Sequence, residues 1–306
     1  MQPIRESPDA GVVGAVPPRR HPIRAVALLQ VLAAAGYGVW LWLGLALLLG
    51  LGQSGRSGTL VPLALGAVLV GAAPLLACLR VPGLTQWHGW QPRPGHRPTR
   101  SALTALLTWL PVLAVAGLAH GDNSFWVTRL AGATLMLCCL VSLSQATHDD
   151  RATLPAPLQR ATALLPASRI TTATYTGGLW MWLSVLTQQG AFQDGRGAYL
   201  WALLLLALAL GLGLLESGMW QSLRGEPEAA TGEAASRHRF PARLLAALLT
   251  YALPCTALLL GGATGHLAAA AVAAASALLG QMLERQLYES ALADAAAQPP
   301  ATARVH

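Results

Sequence analysis

The sequence predicts an all-α, polytopic membrane protein, with eight transmembrane helices in one bundle. Two observations carry that prediction. Charged residues make up 11% of the chain while 54% are apolar or aromatic, against roughly 25% charged in soluble domains. The apolar residues also fall in uncharged runs that approach or exceed 18 residues, and a bilayer core takes about 20 residues of helix at about 1.5 Å each.

Taken in order, residues 1–22 form a polar, proline-rich N-terminal arm without the pattern of a cleavable signal peptide. The bundle occupies residues 23–290, with apolar spans near 23–50, 60–79, 102–119, 127–144, 171–187, 199–220, 244–260 and 266–283. The fifth is the weakest, because it is rich in Thr and Gly. Residues 291–306 read as a disordered C-terminal tail, and the Glu/Ala/Gly-rich stretch 225–236 as a mobile loop.

The chain has no lysine, and its twenty basic residues are all arginine. With eight spans, seventeen of them fall on the side of the termini, leaving Arg56, Arg129 and Arg196 on the other. This bias puts both termini in the cytoplasm. It also explains the net charge of +7 as topology, not nucleic-acid binding. Connections on the cytoplasmic side are long, and those on the opposite side short.

The longest-ordered of these cytoplasmic loops by composition, residues 79–100, reads LRVPGLTQWHGWQPRPGHRPTR. Its four prolines forbid a long helix. Arg80, Trp87, His88, Trp90 and Arg100 give it cations and flat aromatic faces at interface depth, suited to stacking a planar ligand, holding headgroups or docking a partner. The plainer reading is a basic loop that only sets topology. At the end of the last span, in GQMLERQLYES, Glu284 and Arg285 follow the apolar run directly. Ionisable groups at that depth are functional candidates because charge is costly in lipid; the plainer reading is a snorkelling helix end. Glu216, near the end of the sixth span, is a second candidate.

No metal-ligand spacing of Cys and His occurs, no pair of helical histidines suits haem, and no iron–sulfur ligand set is present. Cys78, Cys138, Cys139 and Cys255 read as small buried hydrophobes. Walker, Rossmann and nucleophile-elbow patterns are absent. The chain is expected to catalyse nothing alone.

Four stretches resemble the membrane anchor subunit of dimethyl sulfoxide reductase and its relatives, the DmsC type, which includes the anchor of membrane-bound sulfite dehydrogenase. They are His21-Pro22 followed by LLQVLAAAGYG; LTQWHGW with TRSALTALLTWLP; Arg243 with Pro254; and LLGQMLERQLYESAL. The resemblance covers most of the chain. It implies a bacterial inner-membrane protein that docks an iron–sulfur subunit, and through it a molybdopterin catalytic subunit, on the side of the N-terminus. It implies electron exchange with ubiquinone or menaquinone, with no haem or cluster in this chain. Arg80, Trp87, His88, Trp90, Arg100, Glu284 and Arg285 are the expected quinone-site residues. The chain departs from the family where Arg80 stands for a histidine and where Arg100-Ser101 lacks the following glutamate. Two other readings remain: a docking protein without quinone chemistry, and a small-molecule transporter, which inverted repeats and broken mid-membrane helices would mark.

Overall fold

The computed structural model describes residues 24–51, 56–79, 88, 90, 97–119, 125–152, 154–188, 195–224, 232–261 and 267–297. Among them the fold is a helical bundle, as the sequence predicts. Its helices are α1 (Arg24–Leu49), α2 (Arg56–Cys78), α3 (Arg100–Leu107), α4 (Trp109–Leu118), α5 (Trp126–Ala152), α6 (Ala156–Ala161), α7 (Leu165–Thr187), α8 (Gly195–Arg224), α9 (Gly232–Ala247), α10 (Leu253–Gly261) and α11 (Leu267–Ala297). A π-helical turn, Leu248–Ala252, joins α9 to α10.

Among the described residues, seven segments are long and apolar enough to cross a membrane: α1, α2, the α3–α4 rod, α5, α8, the α9–α10 rod and α11. The expected fifth span, α7, falls below that mark in apolarity, yet it is a 23-residue helix in the middle of the bundle. Tyr175 and Leu179 are wholly buried and Trp182 nearly so. Its threonines account for both facts. Thr171, Thr174 and Thr176 donate their hydroxyls to the carbonyls four residues back, at 2.9, 2.7 and 2.7 Å. They lower the hydropathy of the sequence without leaving a polar group unmet.

Contacts fix the helix directions. Gly36 of α1 meets Gly66 and Val70 of α2, and Gly44 meets Gly132 of α5. The Trp40 indole donates to Leu63 O at 3.0 Å. Against α7, by contrast, the order rises on both helices: Val31 shares a cleft with Leu165, Gly38 meets Ala173 and Gly177, and Trp42 Nε1 donates to Thr174 O at 2.8 Å. So α1 and α7 run parallel, with α2 and α5 opposed to α1. A Cβ on Gly38 would lie 1.7 Å from Ala173 O, so the two backbones touch and only glycine fits. This is how small residues substitute for water-driven burial in lipid.

Two broken rods have local causes. Pro111 cannot donate into the turn before it, and α3 gives way to α4 at Thr108. The Thr108 hydroxyl donates back to Thr104 O at 3.0 Å and pairs with Ser142 of α5 at 2.8 Å. In the second rod the π turn brings Thr250 against Gly280 of α11, and Tyr175 OH donates to Thr250 O at 3.0 Å.

Several boundaries differ from expectation. α7 begins at Leu165 instead of 171, and α9 starts at Gly232, inside the stretch read as a loop. α11 continues to Ala297, past the expected start of the tail. The sequence LYESALADAAA is made of good helix formers, and Arg285 pairs with Glu289 one turn on. The N-terminal arm, residues 225–231 and residues 298–306 lie outside the described residues. Of the cysteines only Cys139 is fully buried; Cys78 is exposed at the end of α2.

Candidate functional site

At the end of the bundle where α1 begins and α11 ends, a cleft of about 60 Å³ opens between α1, α7, α8 and α11. Its apolar side is Val31, Ala34, Leu165 and Met219, and its polar side Ser168, Arg169, Thr172, Glu216, Gln281, Glu284, Arg285 and Tyr288. The volume suits a few ordered waters, or the polar edge of a larger ligand.

Helical spacing builds the polar side. Gln281, Glu284, Arg285 and Tyr288 stand at positions i, i+3, i+4 and i+7, so α11 presents them on one face. Glu216 comes from α8, a turn above Met219 and Trp220, and Arg169 from the second turn of α7.

The carboxylates are engaged. Tyr251 OH, positioned by the π turn, donates to Glu216 Oε2 at 2.5 Å, and Gln281 Nε2 to its Oε1 at 3.4 Å. Trp220 Nε1 donates to Glu284 Oε1 at 2.5 Å. Arg285 Nε pairs with Glu289 Oε1 at 2.8 Å. The Arg243 guanidinium lies over the Trp220 ring, 4.1 Å from its centroid, and the Trp220 and Tyr288 rings meet edge to face at 5.8 Å. Two donors stand apart from this network. Tyr288 OH is buried and has no partner, a condition that costs about 1–3 kcal/mol in a protein interior. Arg169, beside it, has Tyr288, Asp150, Glu289 and Arg285 in electrostatic range, but no hydrogen bond or ion pair fixes it among the described residues.

The residues expected from sequence fall in three groups. Glu284 and Arg285 line the cleft. His88 is near it: Asp150, Asp149 and Arg285 all act on its imidazole. Burial holds that imidazole below its ordinary pKa; the two aspartates oppose the shift and Arg285 adds to it. The His88 backbone has φ 48°, a left-handed conformation uncommon for residues other than glycine. Its carbonyl is pinned to the start of α3, accepting from Thr99 Oγ1 at 2.6 Å and Ser101 Oγ at 3.4 Å. The third group lies elsewhere. Trp90 packs against the cluster of Ala77, Ala102 and Ala105 on α2 and α3, and Arg100 is exposed at the head of α3. Neither is among the residues lining the cleft. Arg80 and Trp87 lie outside the described residues.

Sequence reasoning ranked Glu216 second and passed over Arg169, Trp220, Arg243, Tyr251, Gln281 and Tyr288. One signal was available: Gln281, Glu284, Arg285 and Tyr288 share the helical face that carries the predicted pair.

The site and the bundle together define a polytopic, all-helical membrane protein with a polar cleft at one end. No protein-family model, no characterised protein and no solved structure matches the chain.

Proposed function

We propose that this chain is the anchor subunit of a molybdopterin/iron–sulfur oxidoreductase of the sulfite dehydrogenase or dimethyl sulfoxide reductase type. It spans the bacterial inner membrane eight times, α7 included, with both termini in the cytoplasm. It receives the iron–sulfur subunit on its cytoplasmic face and exchanges electrons with the quinone pool. The observation that carries the quinone part is the cleft: ionisable and hydrogen-bonding side chains from α7, α8 and α11 gather beside an apolar wall, between helices whose apolar runs are otherwise almost free of charge. Groups of that kind are costly in lipid and mark ligand or proton sites. The orientation rests on the seventeen-to-three arginine split, since the cleft lies at the arginine-rich end.

The chemistry of a quinone suits these groups. Its carbonyl oxygens need donors, its ring an apolar wall, and its protons a carrier reached from water. Arg285 and Arg169 are donors that stay protonated; Glu284 and His88 are the groups able to pass protons. A docking role without quinone chemistry draws support from Trp90, which packs against a cluster of three alanines instead of offering a free ring face on the loop.

Co-purification tests the assignment. The tagged chain, solubilised from its native membrane, should bring down two soluble subunits containing molybdenum and iron. Isolation of the chain without metal-containing partners, from cells grown where the complex is made, sinks the proposal.

A further inference from the structure

We propose that Arg169 and Tyr288 are the two donors that hold the carbonyl edge of an uncharged ligand in the cleft. This deepens the quinone reading and rests on it for the ligand's class, but it moves the binding contacts from the loop between α2 and α3 to helices α7 and α11.

Glu216 accepts from Tyr251 and Gln281, Glu284 from Trp220, and Glu289 from Arg285. The carboxylates around the cleft therefore have donors. The reverse is not true. Tyr288 is 6% exposed, its ring is held edge-on against Trp220, and its hydroxyl has no acceptor. Arg169 lines the same cleft and is close enough to Tyr288 for the two to interact electrostatically, yet it makes no hydrogen bond or ion pair among the described residues. What these two donors lack is an acceptor.

Charge narrows the acceptor's identity. Arg169, Arg243 and Arg285 stand around Glu216, Glu284 and Glu289. With Asp150, which also acts on Arg169, three cations face four carboxyl groups, so an anionic headgroup would add negative charge to a poorly hydrated place that already holds an excess of it. A carbonyl oxygen takes two donors and adds no charge. Val31, Ala34 and Met219 supply an apolar side along which a ring can lie. The cleft admits the edge of that ring, and the remainder extends toward lipid.

The test is equilibrium binding to the purified full chain in detergent, read by quenching of tryptophan fluorescence. The probes are a decyl-tailed ubiquinone and, separately, a short-chain phosphatidic acid. Tyr288→Phe keeps the ring and should weaken quinone binding about tenfold, the loss of one hydrogen bond. Arg169→Gln should weaken it further, because the lost bond is charge-assisted, and Arg169→Lys should recover part of the loss. Arg100→Gln should bind as the unsubstituted chain does. If the chain binds the quinone and neither Tyr288→Phe nor Arg169→Gln changes the affinity, this assignment is wrong while the quinone function stands. If the unsubstituted chain binds no quinone, both fall. Saturable phosphatidic acid binding, lost in Arg169→Gln and stronger than quinone binding, makes the cleft a headgroup site and also overturns the proposal. Should Arg169→Gln fail to fold, Tyr288→Phe decides alone.

Discussion

Trp220 Nε1 donates to Glu284 Oε1 at 2.5 Å while the Arg243 guanidinium rests on the same indole, 4.1 Å from its centroid. One side chain thus joins a carboxylate of α11 and a cation of α9 to the end of α8. Trp220→Phe keeps a ring for Arg243 and Tyr288 but deletes the donor. It should destabilise the chain by about 1–3 kcal/mol, measured by denaturant unfolding in detergent. Combined with Glu284→Gln, the losses should be less than additive. Additive losses would show that the two residues are not coupled.

The contact between α1 and α7 gives a sharper stability prediction. A Cβ at Gly38 would fall 1.7 Å from Ala173 O, and one at Gly177 2.2 Å from Gly38 C. Both are backbone atoms, which cannot turn aside. Gly38→Ala and Gly177→Ala should each cost about 1–3 kcal/mol or more through overpacking, whereas Gly117→Ala, with open space around it, should be neutral or slightly stabilising. Equal midpoints for all three variants would mean that the helices are not in backbone contact.

Reporter fusions decide the number of spans. With eight spans and cytoplasmic termini, fusions after Gly55, Asp122, Asp194 and Gly265 all report the outside. The fusions after Asp194 and Gly265 are the informative ones, because both turn inside if α7 does not cross. Cytoplasmic signals at any two of the four sites refute the topology.

In the assembled complex, Glu284→Gln should lower quinone-linked turnover by about tenfold or more by removing a proton carrier. Turnover of the soluble half-reaction with an artificial dye should be unchanged. Trp87→Ala on the loop serves as the companion variant. Full quinone activity in Glu284→Gln would remove that carboxylate from the reaction.

His88 supplies a pH prediction. Its folded pKa is lowered, first by burial and then by Arg285, with Asp150 and Asp149 opposing. The folded state therefore binds fewer protons than the unfolded one near the ordinary histidine value of about 6.5, so this contribution makes stability fall as pH falls through that value and level off below the folded pKa. The unfolding midpoint should drop between pH 8 and pH 5, and less in His88→Gln. The same pH dependence in both proteins would exclude His88 as its source.

The bundle was legible because lipid leaves the backbone little choice: long uncharged runs must be helices. The weakest expectation, α7, shows what hydropathy misses. Thr171, Thr174 and Thr176 count as polar in a sequence but hydrogen-bond to their own helix. The site was half legible. Glu284 and Arg285 stand out at the end of an apolar run, since cost and depth can be read locally. Trp220 and Tyr251 do not, because Trp220 reaches Glu284 across 64 residues and Tyr251 reaches Glu216 across 35. Those pairings come from tertiary packing, and for Tyr251 from a π turn. Trp90 packs on α2 and α3 and does not line the cleft; an aromatic ring at interface depth serves packing as readily as ligand stacking.

The fit of α7 against α1 also bears on how the chain is made. A threonine-rich helix that falls short of the apolarity of its neighbours gains little by leaving the translocon alone. Its glycines and alanine are shaped to a groove on α1, a helix completed more than a hundred residues earlier. If α7 crosses the membrane, the first helix has to be at hand when α7 emerges, which would make biogenesis of this bundle cooperative instead of strictly sequential. A nascent chain carrying a bulky residue at Gly38 would fail at that step, with a perfectly apolar first helix already in the bilayer.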